Sequence, residues 1–136
     1  MTQRNPFNPA LADGIRRFGF RKWYERELLS SHAHMALALL ASVALIASFE
    51  AFKGGSWGEK LIDTAFVLVC AAIALWALRR YLYLLMHAEE MANQANCDKC
   101  QAYGLLLVPE DSRAQAHRLV PVCCKRCGFR WDMEDG

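Results

Sequence analysis

The chain has 136 residues, 54% of them hydrophobic, and its 16 Lys and Arg against 14 Asp and Glu give a formal net charge of +2. A mean hydropathy of +0.06 conceals strong segregation: most apolar residues lie between positions 28 and 86, and the polar C-terminal remainder of roughly forty residues is small enough to need a metal for folding. Such a division excludes an ordinary soluble globule and leaves almost no room for an independent enzyme active site.

The first segment, residues 1–27, is basic and amphipathic. Asn8-Pro9 reads as a helix start, with Asn as cap and Pro in the first turn. Leu11, Ile15 and Phe18 recur at helical spacing, then Trp23, Tyr24 and Leu28 follow, interleaved with Arg16, Arg17, Arg21, Lys22 and Arg26. The pattern predicts a helix on an anionic membrane surface, bent at Gly19, or else an arm docked on protein.

Residues 28–49 carry no charge, and these twenty-two residues between Glu27 and Glu50 make about 33 Å of helix, enough to cross a bilayer. The first span is therefore placed at 28–50. The second, 61–86, is uncharged from 64 to 78 and continues through Arg79-Arg80, which can snorkel to phosphates, while Asp63 lies near the other mouth. Residues 51–60 form a short glycine-rich connection with Trp57 as an interfacial anchor, which predicts an antiparallel hairpin. No breaker follows, so the helix is expected to run on through a stalk at 87–96. A cleaved signal peptide fits the first span poorly, because the span starts late and lacks a small-residue cleavage pattern.

Six basic residues precede the first span (Arg4, Arg16, Arg17, Arg21, Lys22, Arg26), two lie in the connection, and Arg79-Arg80 close the second. This bias predicts a bacterial-type inner-membrane protein with both termini cytoplasmic. Ala41, Ala44, Ala47 and Ser48 in one span, and Cys70, Ala71, Ala74 and Ala77 in the other, permit close helix contact with other subunits or with copies of the chain, although alanine is also common membrane filler.

Residues 97–136 hold five of the six cysteines. Cys97, Cys100, Cys124 and Cys127 form two Cys-x-x-Cys pairs, and in a reducing compartment such pairs are metal ligands before they are disulfides. Cys123 competes with Cys124 for the third position, and the knuckle spacing selects Cys124. Cys70 reads as a packing residue. Residues 103–108, 118–122 and 128–132 read as strands, with a polar loop at 109–116. His32, His34 and His87 fall at corresponding ends of the two spans, where a haem or second metal is conceivable, with Glu89 and Glu90 beside His87. Interfacial histidines with wet polar tips are the simpler reading.

This tail resembles the zinc-ribbon, or rubredoxin-like zinc-binding, family: Cys97-x2-Cys100, a hairpin, Cys124-x2-Cys127-Gly128, then Phe129 and Trp131. Gln101 stands where many members repeat the glycine. The resemblance covers under a third of the chain and implies three strands around a structural zinc held by Cys97, Cys100, Cys124 and Cys127. The expected fold is thus a mainly α membrane protein, a two-helix transmembrane hairpin with an N-terminal amphipathic helix and a small all-β zinc ribbon. The expected function is a non-catalytic accessory or assembly subunit of an inner-membrane complex, its partners being the bilayer and other membrane subunits or its own copies. Alternatives are a tethered nucleic-acid-binding ribbon using Lys99, Lys125, Arg126 and Arg130, offset by Asp98, Asp132, Glu134 and Asp135, or an electron carrier with iron in the four-sulfur site.

Overall fold

The computed structural model describes residues 5–51, 55–110 and 119–135. Helix α1 (Leu11–Phe18) stops at Gly19, whose φ of 84° favours glycine and whose amide closes the last turn on the Ile15 carbonyl at 3.0 Å. The chain restarts at once as α2 (Phe20–Ala51), so the bend expected at Gly19 is a break between two helices. Asn8 does not cap α1: the N-cap is Ala10, without a side-chain bond. The Asn8 amide instead donates to the Trp23 carbonyl at 3.1 Å and to Glu27 Oε2 at 2.7 Å, where a buried carboxylate is the stronger acceptor.

Helix α3 (Trp57–Gln94) begins with a reciprocal capping box, Ser56 N donating to Glu59 Oε2 at 2.7 Å and Glu59 N to Ser56 Oγ at 3.5 Å. It then runs 38 residues without interruption.

The chain divides into two units, Ser31–Tyr83 and a second made of Met1–Ser30 with Leu84–Gly136. In the first, the buried positions are small: Ala38, Ala41 and Ser48 on α2, Cys70 and Ala77 on α3. A ring contact of 5.5 Å between His34 and Trp76 joins the helices. The large apolar side chains point outward, Leu40, Val43, Ile46, Leu68 and Leu75 among them. Only 11% of the most apolar 18-residue window of either helix is buried, the reverse of a helix in a soluble core.

The second unit has a conventional core. Strands β1 (Leu106–Leu107), β2 (Leu119–Cys124) and β3 (Arg130–Glu134) form an antiparallel sheet in that order, with Leu107 opposite Cys123 and Cys123 opposite Arg130. Alternation sends Leu106, Val120, Val122 and Met133 inward, where they pack with Leu11 and Ile15 of α1, Phe20 and Trp23 of α2, Met91 of α3 and Ala95 just after it. The apolar side of the N-terminal segment is therefore covered by the sheet and the helix ends. Residues 87–96 likewise contribute buried Ala88, Met91 and Ala95 to this unit instead of forming a bare spacer.

β1 is shorter than the run expected at 103–108, β2 extends to Cys124 beyond the expected 122, and β3 is shifted because Gly128 closes the second cysteine turn. Tyr103 makes only an isolated bridge to Asn96, and β3 begins at Arg130 after the second turn. The loop predicted at 109–116 lies largely outside the described residues.

Candidate metal centre

The first pair of cysteines follows directly on the end of α3. Gln94 is the last helical residue, and its carbonyl accepts a bond from Trp131 Nε1 at 3.1 Å. The Gln94 side chain pairs with the backbone of Glu134, accepting its amide at 2.7 Å and donating to its carbonyl at 3.1 Å. These bonds cover the outer edge of β3 and fix the sheet to the helix end.

Two matching turns then carry the thiols. Gln101 N donates to the Cys97 carbonyl at 2.8 Å, and Gly128 N to the Cys124 carbonyl at 3.0 Å. The residue closing each turn is left-handed, Gly128 at φ 75° and Gln101 at φ 57°. Gln101 thus takes the conformation that glycine adopts more easily, with its side chain held by Asn96 Nδ2 at 3.3 Å and by the Asp98 carbonyl at 3.2 Å.

All four sulfurs, Cys97, Cys100, Cys124 and Cys127, lie within 4.8 Å of one another. Cys97 and Cys127 are 3.5 Å apart, and Cys100 and Cys124 3.6 Å. A tetrahedral ion with bonds of about 2.3 Å separates its sulfurs by roughly 3.8 Å, so these residues fit a thiolate-bound metal such as zinc. The amides of Cys127 and Arg126, with the neighbouring thiols, draw the Cys124 pKa down to about 7 despite burial. At Cys127 the Phe129 amide favours the thiolate, but burial and the three neighbouring thiols outweigh it and push the pKa up to about 12. A divalent cation relieves that crowding of sulfurs by stabilising all four as thiolates.

Cys123 is excluded from the cluster by strand alternation: its thiol points to the other face of the sheet, toward the Gly128 carbonyl at 3.5 Å. Cys70 is buried on α3 in the other unit. Lys99, Lys125, Arg126 and Arg130 are all exposed.

The histidines separate. His32 and His34 belong to Ser31–Tyr83, whereas His87 lies in the unit that carries the sheet, just beyond the second apolar span. His87 Nε2 is 2.8 Å from Asp135 Oδ1, and Nδ1 is 3.6 Å from Glu27 Oε1. Glu27 also accepts from Asn5 at 3.0 Å and from Asn8 at 2.7 Å, and the Trp23 ring meets the imidazole edge-on at 5.9 Å. Asp135 and Glu27 raise the His87 pKa to about 9 against the effect of burial. Burial pushes Glu27 up, but bonds from His87, Asn8 and Asn5 and the imidazolium charge outweigh it, leaving its carboxyl below the ordinary range. His87 holds its two carboxylates on opposite ring edges, which suits a charged tie and not a chelate; Glu89 and Glu90 are exposed and outside it. Glu27 and Asp135 were not anticipated as its partners. The available signal was an acid just before the first apolar span and a histidine just after the second.

Fold and site together define a chain with two long apolar helices and a four-cysteine cluster on a small three-stranded antiparallel sheet. Compared with protein-family models, curated proteins and solved structures, it matches none.

Proposed function

We propose that this chain is a non-catalytic accessory or assembly subunit of a bacterial-type inner-membrane complex, anchored by two spanning helices and displaying a structural zinc ribbon to the cytoplasm. The observation carrying this reading is the placement of a closed four-thiol cluster on a sheet bonded to the end of α3, a helix whose apolar window is only 11% buried. Burying those exposed leucines, valines and isoleucines in lipid gains about 25 cal/mol per Å². Basic residues before the first span, and Arg79-Arg80 toward the end of the second, support cytoplasmic termini. Zinc, once bound, supplies cross-linking and charge neutralisation, and four thiolates leave it no open position for a substrate water. Cys97, Cys100, Cys124 and Cys127 hold the ion, and Gln101 and Gly128 close the turns that aim them.

The test is metal analysis and native mass measurement on the full chain purified gently from membranes. One zinc per chain in a colourless sample that co-migrates with other membrane subunits supports the proposal. A coloured sample with one iron points instead to electron transfer, and a lone 15.4 kDa species opposes the subunit role.

A further inference from the structure

Among the described residues, the core packs against one face of the sheet, and on the other Arg16, Phe18, Gly19 and Glu110 border a groove along the row of Leu107, Cys123 and Arg130. The outer face carries Leu105, Leu107 and Leu119, exposed to 45%, 49% and 44%, beside half-buried Pro121 and Cys123. Register sets Leu107, Cys123 and Arg130 in one row, Pro121 and Asp132 in the next, Leu119 and Glu134 in the third, and the Lys125 amide bonds Leu105 beyond the first. Charge is therefore ordered along the strands, with Lys125 and Arg130 at one end and Asp132 and Glu134 at the other. None of these four makes an ion pair among the described residues.

We infer that this face binds the same face of a second copy of the chain. A two-fold axis lying between the faces and across the strands reverses the row order, which places Arg130 over the partner's Asp132 and turns Lys125 toward the partner's Glu134. The leucines then meet across the axis, and each of these four charges acquires an opposite one, as an isologous contact requires; Arg16 and Glu110, at the rim of the groove, oppose each other in sign. A partner with a uniform surface charge satisfies only one end, so the bipolar pattern selects a self-complementary occupant. The face is small, and association is expected to be weak in dilute solution but favoured between chains confined to one membrane, where effective concentration is high. The inference requires a folded ribbon but not a particular ion or host complex.

Cys123 lies beside the axis, so two copies bring their thiols within the reach of a short bis-maleimide, on the order of the 10 Å between packed sheets. The full chain, expressed in its membrane and treated with this reagent, should form a covalent dimer that Cys123→Ser abolishes. The paired reversals Lys125→Glu with Arg130→Glu, and Asp132→Lys with Glu134→Lys, should each cut the cross-linked yield at least fivefold when expressed alone. Co-expression of the two reversed chains should restore it, since one face is then wholly acidic and the other wholly basic. Retained metal in each variant certifies a folded ribbon, and should a paired reversal lose it, Arg130→Glu and Asp132→Lys take its place. Absence of a Cys123 cross-link, a yield indifferent to the reversals, or failure of the mixed pair to recover would overturn the inference.

Discussion

His87 is tied on both ring edges to carboxylates drawn from distant parts of the chain, Glu27 and Asp135, and this fixes how the ribbon unit responds to pH. Its pKa of about 9 exceeds the ordinary 6.5, so the tie is fully effective below about 6.5 and is lost as pH rises through about 9. Glu27, depressed from 4.5, contributes above that value and loses its contribution on acidification. Thermal melting of the metal-bound chain should therefore fall as pH is raised from 6.5 to 10, and His87→Gln should flatten that decline. Among the described residues, His87→Ala leaves buried Glu27 with Asn5 and Asn8, at an expected cost of about 3 kcal/mol by denaturant unfolding. Gly14 is constrained differently, since a Cβ there collides with the Trp23 ring. Gly14→Ala should destabilise the unit by about 2 kcal/mol on the same measurement. At Gly128 no neighbour would meet a Cβ, so Gly128→Ala should cost only about 1 kcal/mol, from backbone conformation alone.

At the scale of elements, the long helices were legible from the length of their apolar runs, whereas α1 was read as continuous with its successor through a single glycine. β3 was displaced by two residues because the second cysteine turn closes at Gly128, whereas β1 kept only Leu106–Leu107 of its expected run and β2 ran on to Cys124. Sheet and helices share one core: Val120, Val122 and Met133 touch the same buried cluster as Leu11, Ile15 and Trp23. An ion held by the four thiols would keep that sheet in shape, and a structural ion is worth on the order of 10 kcal/mol in comparable folds. Stripping the metal with a strong chelator should therefore expose α1 as well as the ribbon. Hydrogen exchange is expected to accelerate at Leu11–Phe18 together with Leu119–Cys124, and loss of protection restricted to the strands would show that α1 is held independently.

For the molecule as a whole, the decisive contrast lies between a unit with an apolar interior and a unit with an apolar exterior. Ser31–Tyr83 buries alanines and presents leucine, isoleucine and phenylalanine, an arrangement that water disfavours and lipid accepts. The chain should remain in the membrane pellet through alkaline carbonate extraction. Val69→Arg, in the middle of the second span and on its exposed side, should raise the insertion free energy by about 3 kcal/mol and shift protein into the soluble or degraded fraction.

By itself the sequence determined the two apolar lengths, a change of direction at Gly19 and the four cysteines that cluster, because each depends on local spacing: rise per residue, backbone freedom, and the reach of a two-residue turn. Tertiary structure alone decided what covers the amphipathic arm, since periodicity shows that a face seeks burial but not which surface supplies it. It also decided the role of His87, whose partners stand 60 and 48 positions away at Glu27 and Asp135. It turned Cys123 away from the thiol cluster as well, through the alternation of a strand whose limits only the folded sheet defines. Contacts of that kind arise from chain closure around a shared core, and no local pattern encodes them.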